Sequence, residues 1–193
     1  TLKGLYIEDL KGDTLVYSEF LEADLPILPI IRSNKISLDY LEWEGVVANV
    51  VRKDSVTGFN YQFLLDAYAA PDSTAAPVDT TAAGYAFDIG TVDLANIDLT
   101  FKDDVAGIDS QFNIEALDVE MEETNLDSMK FHIANADLRN SSIYYHQTKP
   151  FPETENEDPA PLPFIIVDNI IIDNVSADYA SIPDGLAAVL DVD

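Results

Sequence analysis

A fifteen-residue pattern of apolar side chains that recurs along the chain limits the possible folds more than any other feature of the sequence. Its clearest copy spans Phe87–Phe101, where apolar residues follow at steps of two, interrupted by two steps of three. Shifts of +78, +44 and −51 residues reproduce the pattern at Ile165–Tyr179, Phe131–Tyr145 and Ile36–Val50, and a looser copy lies at Leu2–Leu10. A repeat of this kind predicts a stack of similar structural units.

The spacing of the pattern indicates β-strands rather than helices. Side chains of a strand alternate between two faces, so steps of two place the apolar residues on one face. A step of three would move the following residues to the other face unless a bulge or a tight corner absorbs the extra residue. At the second step of three the copies carry Asn96, Asn140, Asn174, Gly45 and, in the loose first copy, Asp9. These residue types tolerate the left-handed backbone conformation that such corners use.

The face opposite the apolar one is acidic. The chain has 36 Asp and Glu against 10 Lys and Arg, a net charge of −26, and the outward positions of the copies carry many of these carboxylates. Such a surface repels phosphate backbones and anionic headgroups, which argues against nucleic acid as a partner and against electrostatic membrane docking. Hydrophobic residues make up 47% of the chain, too many for a disordered acidic tail. We therefore expect a sheet with one apolar and one solvated side.

The whole chain, residues 1–193, is predicted to form a single all-β repeat domain. Three further alternating segments, Leu15–Tyr17, Phe59–Leu65 and Phe112–Met121, are predicted to be return strands between the copies. The result would be a mainly antiparallel meander of roughly ten strands, a size at which open sheets curl, split or roll up.

Three segments break the strand pattern. Residues 71–83 are rich in small side chains and residues 148–163 in proline and acid, so both are expected to be exposed, mobile loops. Leu25–Lys35 has Pro26 near its start and Asn34 near its end, as a short helix would. We expect this helix to cap an open end of the sheet.

The function depends on what the sheet encloses. It could close into a sandwich with a dry core, or curl into a taco-like groove whose apolar concave face stays partly open. An open groove would expose more apolar area than monomers usually do, and would attract acyl chains or an apolar partner. The residues predicted to line it are inward positions of three copies: Ile89, Val92, Leu94, Ile97, Leu99, Phe101, Ile133, Leu138, Ile143, Ile170 and Ile172.

Degenerate motifs in the first 70 residues resemble those of a known family. They are Asp9…Asp13-Thr14-Leu15, Asn34-Lys35-Ile36, Leu41…Glu44-Gly45-Val46 and Phe59-Asn60…Phe63. On these motifs the chain resembles the AsmA/TamB-like family of Gram-negative envelope proteins, and it is most similar to the N-terminal half of the versions found in Bacteroidota. The likeness continues more weakly as repeats through residue 179.

The resemblance implies a periplasmic location and a role in lipid handling. Members of the family have an inner-membrane anchor and a U-shaped β-groove with a hydrophobic lining, implicated in phospholipid transfer towards the outer membrane and in outer-membrane protein assembly. The chain would then be a fragment that binds phospholipid acyl chains passively. The anchor and the contacts to outer-membrane assembly partners would belong to the parent protein.

Catalytic and metal-binding signatures are absent from the sequence. The chain has no Cys, which excludes disulfides and thiolate sites, and no GxSxG, P-loop or HExxH motif. His132 and His146 are both expected at the surface. The acidic turns around Gly12 and Gly107 are rich in oxygen ligands but match neither the EF-hand nor the nonapeptide spacing, so we expect solvated turns. No enzyme activity, catalytic residue, metal site or cofactor is predicted.

Two hypotheses from other functional classes stay open at this point. One is a structural or adhesive β-domain with a closed core, stiffened by calcium on its acidic face. The other is a carboxylate-based glycan hydrolase on a β-scaffold, which needs a cleft with paired acids. The cross-section of the folded sheet is the observation that separates these two from an open groove.

Overall fold

The computed structural model describes residues 1–24, 35–68, 86–125, 129–151 and 164–193. Within these ranges the chain forms one open, curved sheet of eight strands, which lie side by side in the order in which they follow along the chain. One short helix, α1 (Gln62–Tyr68), lies outside the sheet. The expectation of an all-β, groove-like fold is confirmed. The strands are β1 (Leu2–Glu8), β2 (Thr14–Asp24), β3 (Lys35–Arg52), β4 (Ala86–Asp103), β5 (Ile108–Asn125), β6 (Lys130–Gln147), β7 (Phe164–Ser181) and β8 (Leu186–Val192).

The pairing of the strands follows the sequence repeat. Five of the seven pairs are antiparallel, which confirms the mainly antiparallel sheet, whereas β3 pairs with β4 and β6 pairs with β7 in parallel, so the sheet is not a meander throughout. In the parallel pairs Trp43 lies opposite Leu94, and Leu138 lies opposite Ile172. These registers of 51 and 34 residues equal the shifts between the corresponding copies in the sequence. Equivalent side chains of neighbouring copies therefore lie side by side.

A left-handed residue interrupts five of the strands. These residues are Gly4, Gly45, Asn96, Asn140 and Asn174, with φ values between 47° and 65°. The prediction is confirmed for Gly45 and the three asparagines. It is wrong for Asp9, which lies in the turn after β1, since the left-handed position of β1 is Gly4. Because each left-handed residue absorbs the extra position, the apolar residues before and after it share one face.

These left-handed residues meet in one row across the sheet, which we call the corner row. Asn174 Nδ2 donates to Asn140 Oδ1 at 2.8 Å, and Asn140 Nδ2 donates to Glu115 Oε1 of β5 at 3.1 Å. At Gly45 the side chain of Glu19 fills the space that a Cβ atom would need. A Cβ there would lie only 2.5 Å from Glu19 Cγ. The corner row is thus held by amide hydrogen bonds at one end and by a close approach that only glycine permits at the other.

The bend at the corner row makes the apolar face concave. Val46 and Val175, which directly follow left-handed residues, are 2% and 3% exposed, and Ser18, which pairs with Val46, is 1% exposed. No described strand has a Cα atom within 8 Å of any strand other than its neighbours in the sheet. Since no second layer of strands covers these side chains, their burial comes from the curvature of the single sheet.

The segment Phe59–Leu65, predicted to be a return strand, forms one isolated bridge to β3 and then enters α1. The Asn60 side chain accounts for the short pairing. Its Oδ1 accepts from Val51 N at 3.0 Å and its Nδ2 donates to Asn49 O at 2.8 Å, so a side chain takes over bonds that a further strand residue would make. The alternating aromatic residues therefore did not indicate a strand here.

The remaining predictions about non-strand segments fall largely outside the described residues. This holds for the helix predicted at Leu25–Lys35, of which only Lys35 is described, as the first residue of β3. It also holds for the loop at 71–83 and for residues 152–163 of the second loop. In the described part of that loop, Thr148 N donates to Gly107 O at 2.8 Å.

Replacing Asn140 by valine tests the corner row. A left-handed conformation costs residues other than glycine and asparagine about 1–2 kcal/mol, and the amide hydrogen bonds are lost as well. We expect urea denaturation to show a free energy of unfolding lower by about 2 kcal/mol, with a smaller loss for Asn140→Gly. Asn135→Val in the extended part of β6 is the control and should cost less than about 1 kcal/mol. Equal losses at the two positions would contradict the role of the corner row.

Candidate functional site

Residues that pair across the sheet form continuous apolar rows on its concave face. Two of these rows lie on either side of the corner row and extend over most of the strands. The first contains Leu21, Trp43, Leu94, Leu117, Leu138 and Ile172. The second contains Val16, Ala48, Leu99, Phe112, Ile143, Ala177 and Leu190. Side chains paired across neighbouring strands are in contact distance, so each row is an unbroken apolar strip.

All the lining residues predicted from the sequence lie in β4, β6 and β7. Leu94, Leu138 and Ile172 share the first row, and Leu99 and Ile143 share the second. None of the predicted residues is fully buried, and one of them, Ile170, is 61% exposed. The half-buried residues are Ile89, Val92, Leu94, Ile97, Leu99, Phe101, Ile133, Leu138, Ile143 and Ile172. These side chains are therefore partly exposed, and their role as a lining stays a prediction.

The strand β5 contributes lining residues that the sequence prediction left out. Leu117 and Phe112 complete the two rows between β4 and β6. The alternation of Phe112–Met121 indicated a strand, but only its pairing shows which alternate set is inward. Trp43 lies inward as its place in the repeat predicts, and its Nε1 donates to Ser18 Oγ at 2.9 Å.

The concave face has no sealed core beneath it. In the part of the chain that the structure describes, only five apolar side chains are fully buried, and they are Leu15, Val46, Ala106, Ile108 and Val175. A sandwich of this size would bury one whole face of each sheet. The closed core that a structural or adhesive β-domain requires is therefore not observed in the described residues.

A buried ion pair ends the apolar face where β3 and β4 end. Arg52 Nε donates to Asp103 Oδ1 at 2.8 Å, and Arg52 Nη2 contacts the other carboxylate oxygen. The backbone N–H groups of Val105 and Ala106 also donate to Asp103 Oδ1, at 3.0 and 3.2 Å. Asp103 is 3% exposed. Burial alone would raise the pKa of Asp103, but the hydrogen bonds from Arg52 and the two backbone N–H groups bring the pKa below its usual value.

An aromatic cluster beside this ion pair connects the loop after β3 to the concave face. The ring of Phe59 lies 4.7 Å from the Arg52 guanidinium and 5.8 Å from the ring of Phe101, and it stacks on Tyr61 at 5.2 Å. Phe101 is one of the predicted lining residues. The short helix α1 follows directly, so the structure places a helical segment at one end of the groove, in a different part of the chain from the predicted cap.

In the two acidic turns considered for calcium, carboxylates accept hydrogen bonds from the turn itself or pair with nearby Arg and Lys side chains. Asp9 Oδ1 accepts from Lys11 N at 2.8 Å and Asp13 N at 3.0 Å, and this lowers the pKa of Asp9. In the other turn Asp103 bonds to Arg52, and Asp109 lies 3.5 Å from Lys102 Nζ. Among the described residues no group of three or more His, Cys, Asp or Glu side chains is arranged to hold a metal ion.

Both histidines lie on the acidic face and connect β6 to β7. His132 Nε2 lies 2.9 Å from Asp168 Oδ2, and His146 Nε2 lies 3.0 Å from Asp178 Oδ1. Their side chains are 26% and 35% exposed, which agrees with the surface position predicted for them. Each histidine therefore bridges the same parallel strand pair.

A shallow groove runs along the corner row, and Val46 and Ile97 of the apolar face are among the residues that line it. Glu19, Glu115 and Asp98 are among the residues that line it. Glu115 accepts a hydrogen bond from Asn140 and Glu19 covers Gly45, so two of these carboxylates already serve the corner row. This open groove gives no support to the glycan hydrolase hypothesis, which needs two carboxyl groups that flank a bound sugar.

Comparison with known proteins identifies no relative of this chain: no family model, no curated protein and no solved structure matches it. The likeness to AsmA/TamB-like proteins therefore rests on the quoted motifs and stays a prediction. In the described ranges no helix has the length and the apolar character needed to cross a bilayer.

Replacing Arg52 by methionine tests the ion pair at the end of the groove. The variant leaves the Asp103 carboxylate buried without its cation, so we expect chemical denaturation to show a loss of about 2–4 kcal/mol in the free energy of unfolding. Lys102→Met is the matched control, because Lys102 and Asp109 are both about half exposed. Its cost should stay below about 1 kcal/mol. Equal costs would show that burial of Asp103 does not set the strength of the pair.

The lowered pKa of Asp103 predicts a pH dependence of stability. The ordinary value is 3.8 and the folded protein holds the pKa below it, so the contribution of the carboxylate is complete above that value. It is lost as the pH falls through the lower, folded-state pKa. We expect the stability difference between the wild type and Asp103→Asn, from urea denaturation, to be constant from pH 7 to about pH 5 and to shrink at lower pH. A difference that grows on acidification would contradict this assignment.

Proposed function

We propose that this protein is a periplasmic lipid-handling module of the AsmA/TamB type, whose hydrophobic groove receives phospholipid acyl chains in transfer between membranes and in outer-membrane biogenesis. The observation that supports the proposal is the set of apolar rows on a concave face that no described strand covers. An enzyme would need converging reactive groups, whereas this face offers a continuous apolar surface.

The size of the face suits acyl chains. The two rows join six and seven strands, so at about 4.8 Å per spacing they run roughly 24 and 29 Å. One leaflet contributes half of a hydrocarbon core of about 30 Å, so an extended acyl chain covers roughly half of a row or more. Each methylene that leaves water gains about 0.8 kcal/mol, and a chain lying along a row would bury many of them.

The mechanism that follows is passive. Two polar side chains set among the rows are already hydrogen-bonded: Ser18 accepts from Trp43, and Ser110 Oγ donates to Phe101 O at 3.1 Å. The groove therefore lowers the cost of exposing acyl chains to water while the headgroup stays in solvent. The acidic convex face keeps the protein from adsorbing to anionic membrane surfaces by charge.

The place of the module in the cell envelope comes from the family resemblance. On this proposal the parent protein supplies the inner-membrane anchor and the contacts to outer-membrane assembly partners.

A charge-insertion pair tests the groove. Leu94→Asp combined with Leu138→Asp places two carboxylates in the first row, and we expect binding of a fluorescent fatty acid to the delipidated protein to weaken at least about tenfold. Val47→Asp on the acidic face is the matched control, because Val47 is 40% exposed and pairs with Asp98. It should bind as the wild type does, and far-UV circular dichroism checks that all variants fold.

Mass spectrometry of lipid extracts from wild-type protein equilibrated with phospholipid vesicles gives an independent measurement. We expect phospholipid to copurify with the wild type and not with the doubly substituted variant. Absence of lipid from the wild type would refute the proposed function. Equal lipid binding by the wild type and by the doubly substituted variant would refute it as well.

A further inference from the structure

A cavity lies beside the end of β3, between the turn that joins β1 to β2 and the loop that leads to α1. Its volume is about 760 Å³, which is within the roughly 300–1,000 Å³ of small-molecule sites. We call this space the turn cavity. Hydrogen bonds join its walls, since Asn49 Nδ2 donates to Thr14 O at 3.0 Å and the Asn60 side chain bonds to the backbone of β3. The fold therefore holds the cavity in shape.

Two lysines of the turn cavity have no partner among the described residues. The charged side chains of its lining are those of Lys11, Lys53, Asp9, Asp13, Asp54 and Asp66. The ammonium groups of Lys11 and Lys53 make no hydrogen bond and no ion pair with the described part of the chain. Both stay unpaired in a protein with 36 acidic and 10 basic residues. Two unpaired ammonium groups that line one cavity are suited to an anion such as a phosphate.

The carboxylates of the cavity do not neutralise these lysines, because most of them accept other hydrogen bonds. Asp9 and Asp54 each accept two bonds from backbone N–H groups of their own turns. Asp66 accepts from the Gln62 side chain at 3.1 Å. Asp13 differs, since its carboxylate makes no hydrogen bond and no ion pair with the residues that the structure describes. The unpaired groups described there are therefore two cations and one anion.

The charge balance of the cavity selects a zwitterion. Its lining has four carboxylates and two ammonium groups, and the whole chain carries a net charge of −26. A ligand with only negative charge would be repelled by the carboxylates, and a ligand with only positive charge would leave both lysines unpaired. A ligand that carries a phosphate and an amine pairs with the lysines and with Asp13 at the same time.

An aromatic side chain connects the turn cavity to the concave face. Phe59 lines the cavity together with Val51 and Phe63, and its ring lies 5.8 Å from that of Phe101, a predicted lining residue of the groove. Lys11 and Lys53 are exposed, so a headgroup bound there keeps its contact with solvent. A lipid with its headgroup in the cavity would extend its acyl chains past Phe59 onto the apolar rows.

We propose that the turn cavity binds a zwitterionic aminoalkyl phosphate, with the phosphate on Lys11 and Lys53 and the amine on Asp13. The headgroup of an amine-bearing phospholipid and a free aminoalkyl phosphate share this chemistry. For a lipid ligand the site rests on the proposed function, since the acyl chains need the groove. The site would then make the protein prefer amine-bearing phospholipids to anionic ones.

A soluble headgroup tests the site without acyl chains. The probe is glycerophosphoethanolamine, and its binding is followed through the backbone amide NMR signals of residues 9–14 and 53–60. We expect Lys11→Gln combined with Lys53→Gln to weaken binding about tenfold, whereas the control Lys102→Gln, outside the cavity, should leave it unchanged. Equal binding by the wild type and the double variant would overturn the proposal, as would signal changes confined to other residues.

Replacing Asp13 by asparagine separates the two halves of the ligand. The variant removes the partner of the amine and keeps both lysines, so glycerophosphoethanolamine should bind about fivefold more weakly. Inorganic phosphate should bind at least as well as to the wild type, because one repelling charge is gone. Weaker binding of both probes would overturn the role of Asp13.

The zwitterion β-alanine, which has a carboxylate in place of the phosphate, tests the anionic half of the ligand. We expect it to bind the wild type about tenfold more weakly than glycerophosphoethanolamine does. Equal binding of the two zwitterions would overturn the assignment of a phosphate to the lysines.

The groove variant separates this site from the proposed lipid groove. Leu94→Asp combined with Leu138→Asp should keep glycerophosphoethanolamine and lose the fluorescent fatty acid, and the double lysine variant should do the reverse. Far-UV circular dichroism checks that both variants fold. A wild type that binds the fatty acid but not glycerophosphoethanolamine would overturn the site and leave the groove proposal intact.

Vesicles with equal amounts of phosphatidylethanolamine and phosphatidylglycerol distinguish a lipid headgroup from a free ligand. We expect the wild type to extract phosphatidylethanolamine in about threefold excess, and Asp13→Asn to lose this preference. Extraction of both lipids in equal amounts by the wild type would overturn the lipid headgroup as the ligand. Binding of glycerophosphoethanolamine without any lipid would support the site for a free aminoalkyl phosphate and refute the proposed function.

Discussion

The fold depends on a backbone conformation in the middle of the strands. A strand with an apolar step of three keeps one face only if its backbone absorbs the extra residue, and glycine and asparagine do this in the left-handed conformation at low cost. Asn96, Asn140 and Asn174 provide that residue in three copies and Gly45 in a fourth. Because these residues align across the sheet, the strands that carry them bend along the same line, and a stack of strands becomes a groove.

A single bent sheet has consequences that a two-layer protein does not share. Each strand contacts only its neighbours, so the protein behaves as a linear array in which stability comes from adjacent pairs. Its apolar face stays accessible to ligands. The proposed lipid groove follows from this architecture, because it uses the uncovered face.

Much of the fold could be predicted because a repeat carries pairing information. The offset between copies equals the register of the parallel pairs, as Trp43 opposite Leu94 shows, and the inward positions followed from the same alignment. The prediction of a strand at Phe59–Leu65 was wrong for a local reason. The side chain of Asn60 makes hydrogen bonds that take the place of strand pairing, so the residues alternate without forming a strand. The prediction of a left-handed corner at Asp9 was wrong because the Asp9 carboxylate accepts hydrogen bonds within a turn. Aspartate favours this role as well.

The sequence by itself determined which side chains belong to the apolar face, where the strands turn left-handed, and that the other face is acidic. These are local properties, since they depend on alternation, residue type and charge. Only the tertiary structure decided that Phe112 and Leu117 complete the rows and that Arg52 pairs with Asp103 on the neighbouring strand. Those features depend on which strands become neighbours and for how many residues, and single-strand patterns do not contain that information.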